Sequence, residues 1–165
     1  MQYDTANQLA LDDPTDVAAR ADLIDNTNWC NGFSWRQIEL LAQFFEVMHV
    51  RSDVVIFHEG DRDAYMCLVA EGVVHISKEN SGQDAKVLAI LGPGKTFGEM
   101  SLVDGQPRSA TAIVREDATL LVMTDRKFRA MCNDFPRLGV KLLLMIASMV
   151  SQRLRQTSGR VVDFL

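Results

Sequence analysis

A chain of 165 residues, 47% of them hydrophobic, is long enough to bury one core with short decorations at its ends. Its formal charge of -5 argues against broad adhesion to nucleic acid or to an anionic membrane, partners that require an excess of Lys and Arg on one face. Cys30, Cys67 and Cys132 are odd in number and far apart, which suggests neither a disulfide framework nor a clustered metal site and fits a reducing compartment.

The opening segment to about Pro14 is polar, rich in aspartate and expected to be loosely ordered. It lacks the positive end and apolar block of a secretion signal, and no later run approaches the roughly 18 apolar residues of a membrane span, so a cytoplasmic location is expected. Charge is uneven along the chain. Asp4, Asp12, Asp13, Asp16, Asp22 and Asp25 face only Arg20 near the start, whereas Lys and Arg dominate from Arg126 to Arg160. The asymmetry reads as solvated faces or as a charge-guided contact between the two ends.

From Thr15 or Asp16 a capped helix is expected, with Val17, Ala21 and Ile24 on one face. Ser34 caps a second helix over SWRQIELLAQFFEVM, where Ile38, Leu41, Phe45 and Met48 recur at helical spacing. From Arg51 the period changes. DVVIFHEGD, AYMCLVAEGVVHISK and KVLAILG are Val- and Ile-rich runs, with tight turns expected at Gly60 and Gly72 and a polar hairpin connection at ENSGQD. TAIVRE and TLLVMT read as two further strands joined by a charged turn. The pattern predicts an antiparallel sandwich or roll of about eight short strands. At Thr124 the helical period returns, first in DRKFRAMCNDF and then in a long helix with Pro136 in its first turn. That helix carries one apolar stripe at Leu138, Leu142, Met145 and Met149 and a second at Leu143, Ile146, Val150 and Leu154. The second stripe calls for a partner, most economically the same helix of a second copy, or for a wholly intramolecular core. The expected organisation is an N-terminal segment with one helix (1–33), a β-roll with flanking short helices (34–135), and a long helix with its tail (136–165).

Between the strands lies GPGKTFGEMSLVDGQPRSATA, Gly92 to Ala112, punctuated by glycines and prolines and holding one acid and one arginine close together. A helical turn at EMSL, Glu99 to Leu102, leaves backbone N–H groups free at its start, and Arg108 beside Pro107 offers a planar fork suited to phosphate oxygens. Glu99 would repel a phosphate, so its role there is to accept hydrogen bonds from hydroxyls, as on a ribose. Phosphate and sugar together indicate a nucleotide; the alternative is that Glu99 and Arg108 merely pair with each other at the surface. The run has neither the Gly-Lys-Ser/Thr ending of a P-loop nor the glycine spacing of a dinucleotide fingerprint.

FGEMSLVDGQPRSATA resembles the phosphate-binding cassette of the cyclic nucleotide-binding domain, shared by the bacterial catabolite activator protein, protein kinase A regulatory subunits and cyclic-nucleotide-gated channels. VIFHEGDRDAYMCLVAEGVVHI resembles the family's turn-and-strand pattern at Gly60, Tyr65 and Gly72, and LAILGPGKTFGE its approach to the cassette. The resemblance spans about Ser34 to Gln156 and implies an eight-stranded β-roll, or jelly roll, flanked by N-terminal helices and two C-terminal helices. It implies cAMP or cGMP as ligand, no metal, and a site that includes Gly98, Glu99, Met100, Ser101, Arg108, Ser109 and Ala110. In that scheme Glu99 and the Gly98 backbone hold the ribose 2'-hydroxyl, Arg108 meets the cyclic phosphate, and the Ser109 and Ala110 N–H groups join it. Leu88 and Ala89 resemble positions flanking ribose and purine, though both also read as plain core. Ser101 departs from the alanine common at its position, and Ser109 leaves the base open. Ligand binding is implied to draw in the short helix and move the long one, whose residues from Ser151 to Arg155 could cap the purine.

The family's transcription factors carry a DNA-reading domain beyond the long helix, but here the sequence stops at GRVVDFL, so either a free-standing sensor that does not itself read DNA and signals to an unknown downstream protein, or a fragment, is expected. An iron-sulfur sensor would need more than Cys30 near the start. His49, His58 and His75 stand singly, which speaks against a haem site and against a metal-dependent enzyme on the same roll. A regulatory binding module that is not an enzyme is therefore the leading expectation; a ligand-free roll serving as a dimerisation or docking unit is the alternative.

Overall fold

The computed structural model describes residues 16–79 and 85–162, with side chains to residue 157. The acidic opening and most of the ENSGQD connection fall outside the described residues. Helix α1 (Val17–Asn26) starts where the Asp16 carboxylate accepts from Ala18 N at 2.8 Å, and it buries Ala21 and Ile24. Helix α2 (Trp35–Ala42) opens on a reciprocal box: Ser34 Oγ accepts from Gln37 N at 3.3 Å, and Gln37 Oε1 accepts from Ser34 N at 3.1 Å.

The helix expected to run to Met48 stops at Ala42. Phe44 and Phe45 N close tight turns onto Leu41 and Ala42, and Glu46–Val50 becomes strand β1, paired with Val122 to Ala118. Phe45 and Met48 are buried either way, so the helical spacing was satisfied by a turn and a strand. The aromatic and β-branched content of FFEVMHV favours the extended form once a sheet edge is available.

The remaining strands are β2 (Val55–Phe57), β3 (Tyr65–Glu79), β4 (Ala85–Leu91), β5 (Thr96–Phe97) and β6 (Thr111–Thr124). All pairings are antiparallel, in the order β1-β6-β3-β4, with β2 on β6 and β5 on β3. The described residues thus form six strands where eight were expected. TAIVRE and TLLVMT are one continuous 14-residue strand, whose exposed Glu116 and Asp117 lie at a bend and not at a turn. Opposite the bend, β3 shifts register around Gly72, where φ is +85° and a Cβ would stand 2.4 Å from Asp117 O. The expected tight turn at Gly72 is therefore a bulge within a long strand, and it is where the ribbon curls.

Curling gives the strands two buried faces. Met66, Leu68, Leu121 and Met123 point to a core shared with α1, α2 and the C-terminal helices, while Cys67, Val69, Leu120 and Val122 fill the roll with Phe57 and Phe97. Short helix α3 (Glu99–Asp104) interrupts the roll between β5 and β6. Helix α4 (Asp125–Asp134) is capped by Thr124, and α5 (Pro136–Val162) follows directly. On α5, Leu138, Leu142 and Ile146 are buried and Met145, Met149 and Val150 pack beside them. Ile146 and Val150, expected on the outward stripe, thus join the core. The exposed row consists instead of Val140, Leu143, Leu144 at 64% exposure and Leu154 at 66%.

Candidate functional site

The glycine-punctuated run folds into the mouth of the roll. Gly98, at φ +78°, turns the chain from β5 into α3, and a Cβ there would lie 2.7 Å from both Arg108 Nη1 and Tyr65 O. Only glycine meets both constraints. The backbone of Arg108 is tied to the Gly60 turn, donating from its N to Asp61 O at 2.8 Å and accepting from Gly60 N at 2.9 Å. The side chain, 4% exposed, points back beneath α3.

There the guanidinium is held on several sides. Its Cζ lies 4.1 Å from the Phe57 ring centroid and 4.2 Å from that of Tyr65. Nη1 donates to Tyr65 O at 2.8 Å, to Gly98 O at 2.9 Å and to Ser101 Oγ at 2.6 Å. Nε and Nη2 are buried and have no hydrogen-bond partner among the described residues. Burial lowers the pKa of Arg108, an effect partly offset by the neighbouring Tyr65. Leaving two charged donors desolvated is costly, and together they present a planar edge able to donate to two oxygens of one acceptor.

Glu99, 1% exposed, does not pair with Arg108. Its Oε1 accepts from Nη1 of Arg153, which reaches in from α5 and donates through Nη2 to Thr96 O at 2.7 Å. Glu99 Oε2 is buried without a partner among the described residues. The surface ion pair considered between Glu99 and Arg108 is thereby excluded, and the buried acid has its own counterion.

Both orphaned edges belong to a cavity of about 280 Å³, close to the lower end of the roughly 300–1,000 Å³ common for small-molecule sites. Of the residues named from sequence, Gly98, Glu99, Met100, Ser101, Arg108, Ser109, Ala110 and Ala89 line it, with Ile76, Leu91 and Phe57 as apolar wall. Leu88 does not; it faces the adjoining groove between β4 and the end of α5. Arg153 was covered only by the broad expectation for Ser151 to Arg155, and nothing in its local sequence signals a partner 54 residues away. Among the described residues no group of three or more His, Cys, Asp or Glu side chains could hold a metal ion, and no helix is long and apolar enough to cross a membrane.

The sequence profile of the cyclic nucleotide-binding domain matches residues 47–135. The chain belongs to the cyclic nucleotide-binding domain family. It is 32% identical over 126 residues to the cyclic AMP receptor protein of Thermus thermophilus, covering 76% of this chain and 56% of that protein. It is 27% identical over 110 residues to the CRP-like cAMP-activated global transcriptional regulator of Mycobacterium tuberculosis, covering 67% and 47%. The chain thus spans about half the length of these relatives. A cyclic nucleotide-binding domain from Methylobacillus flagellatus superimposes with a TM-score of 0.86 over 98% of this chain and 92% of that one; at 22% identity it bears on the fold alone. The Thermus thermophilus catabolite activator protein superimposes with a TM-score of 0.73 at 30% identity, covering 82% of this chain and 62% of that one.

Proposed function

We propose that this cyclic nucleotide-binding domain is a regulatory module that takes cAMP or cGMP into the cavity between α3, β4 and the loop 106–110 and passes the bound state on through α5. The observation that carries the reading is the pairing of two orphaned edges in one cavity: the Nε–Nη2 edge of Arg108 and the Oε2 atom of Glu99. A cyclic phosphate supplies its two non-bridging oxygens to the first, and the ribose 2'-hydroxyl donates to the second, joined by the Gly98 backbone. The N–H groups of Ser109 and Ala110 complete the phosphate side, while Ala89, Ile76 and Leu91 offer an apolar wall to sugar and purine. The name of the Thermus relative favours cAMP.

Transmission follows from Arg153, because the carboxylate that receives the ribose also anchors α5. A ligand that changes how strongly Glu99 holds Arg153 biases α5 between two placements, and differential affinity for those placements is the coupling. The exposed row of Val140, Leu143, Leu144 and Leu154 is assigned to a homodimer, with α5 packed on its copy.

Calorimetric titration with cAMP and cGMP tests the ligand. Binding of at least one in the micromolar range or tighter is expected, with a loss of about a hundredfold or more on Arg108→Ala, which removes both charge-assisted bonds. No heat from either nucleotide sinks the ligand assignment, and binding indifferent to the substitution sinks the role of Arg108. Light scattering tests the dimer, which Leu144→Glu should dissociate.

A further inference from the structure

We infer that Ser101 is a positioning residue that, with Phe57 and Tyr65, sets which edge of Arg108 faces the ligand. This rests on the reading of Arg108 as the phosphate-binding group. Ser101 is 5% exposed on α3, and its hydroxyl makes two bonds: Oγ donates to Gly98 O at 3.1 Å and accepts from Arg108 Nη1 at 2.6 Å. Nη1 also donates to Gly98 O at 2.9 Å, so Gly98 O, Ser101 Oγ and Arg108 Nη1 form a closed triangle.

Those contacts fix the guanidinium in its own plane. Nη1 carries two hydrogens and faces three acceptors, counting Tyr65 O at 2.8 Å, so it has nothing left for a ligand. The rings of Phe57 and Tyr65 restrain motion out of that plane, at 4.1 and 4.2 Å from Cζ. Tyr65 is itself pinned, its hydroxyl donating to Ile56 O at 3.0 Å. What remains is the Nε–Nη2 edge, which can donate to two oxygens of one group side by side.

Without the Ser101 hydroxyl, Nη1 keeps two carbonyl partners but loses the shortest of its three bonds. The guanidinium can then rotate about its long axis, and part of the binding free energy goes into restoring its orientation. The sequence marks this position only as a serine where the family commonly has alanine; the geometry supplies the reason for the hydroxyl.

The test is a double-mutant cycle read by calorimetry, with cAMP and cGMP each titrated into the wild type, Ser101→Ala, Arg108→Lys and the double variant. Alanine is the better helix former, so the fold is expected to survive with a thermal midpoint within about 2 °C of wild type. Ser101→Ala is expected to weaken nucleotide binding by about tenfold in the wild-type background, the size of one charge-assisted hydrogen bond. In the Arg108→Lys background, where there is no fork to orient, the same change is expected to cost less than about twofold. An equal loss in both backgrounds, or no loss in the wild type, overturns the positioning role while leaving the nucleotide site standing. No binding by the wild type removes the nucleotide reading itself, and the inference with it.

Discussion

Replacing Arg153 with methionine keeps the apolar stem of the side chain and removes the guanidinium that joins α5 to the cavity. Glu99 Oε1 then loses its partner while Oε2 already lacks one, so a carboxylate that is 1% exposed is left with neither oxygen bonded. A surface ion pair contributes about 0–1 kcal/mol, and breaking a fully buried one costs about 3–5 kcal/mol. Here the Glu99 side chain is buried and that of Arg153 is 43% exposed, so water screens one side of the pair and the loss falls between, at about 1–3 kcal/mol. The bond to Thr96 O goes with it and is part of that figure. For a domain of this size each kcal/mol lowers the thermal midpoint by about 2–4 °C, giving a drop of roughly 2–12 °C by differential scanning calorimetry.

The loss should also be local. Beyond Val150 the side chains of α5 are exposed or half-exposed, and the described bonds from this stretch to the roll are those of Arg153. Hydrogen exchange of amides 152–157 should therefore quicken in Arg153→Met, while the buried stretch from Leu138 to Ile146 stays protected. Arg153→Lys, which keeps a charge but not the fork, should lie between the two. An unchanged midpoint together with unchanged exchange would refute the account of Arg153 as the anchor of the helix end.

Three further outcomes follow from the geometry. Gly72→Ala places a Cβ 2.4 Å from Asp117 O and 2.7 Å from Ala118 Cα at φ +85°, so the urea midpoint should fall by the equivalent of about 2–4 kcal/mol; a fall under about 0.5 kcal/mol would show the bulge to be plastic. Burial pushes the Cys30 and Cys67 thiols up from 9.0 to about 12, so the folded state holds those protons longer than the unfolded one. Stability is then fully present below about pH 9 and lost at about 1.4 kcal/mol per pH unit per thiol between pH 9 and 12, and an equally steep alkaline limb in Cys30→Ala/Cys67→Ala would contradict this. Of the three cysteines only the half-buried Cys132 should react quickly with a thiol reagent in the native protein, all three reacting after denaturation; rapid labelling of Cys67 would mean that the roll opens.

The features read correctly from sequence are those whose physics acts within a turn or along a strand. Asp16 and Ser34 cap helices through bonds spanning two or three residues, and the strand expected over AYMCLVA forms, with Met66 and Leu68 on one face and Cys67 and Val69 on the other. The errors arise where a distant partner decides. Phe45 and Met48 satisfy a helical period by accident, and only pairing with β6 turns EVMHV into a strand. The charged Glu116-Asp117 step looks like a turn until β3 bulges opposite it at Gly72. Ile146 turns inward to join a core cluster whose other members, Leu41, Met66 and Leu121 among them, lie far away in sequence. The cassette motif marks Glu99 and Arg108, but not that Arg108 is held by Ser101 and two aromatic rings, nor that Glu99 is held by Arg153.

That last pairing bears on how an acid can stand beside the arginine proposed to hold a phosphate. Arg108 and Glu99 alone would give a neutral site, and a carboxylate this deeply buried would oppose a phosphate. With Arg153 added, two positive charges stand against the carboxylates of Glu99 and Asp104, which also lines the cavity. The two positive charges come from different parts of the fold, one from the cassette and one from α5. On the proposed reading, a ligand that contacts both Arg108 and Glu99 necessarily alters the carboxylate to which α5 is tied. Occupancy of the cavity and placement of the helix end are then linked, and by reciprocity anything that holds α5 in place must change nucleotide affinity by the same factor. The coupling carried by this contact is bounded by the free energy of the Glu99–Arg153 pair, about 1–3 kcal/mol, which corresponds to roughly five- to 150-fold in affinity.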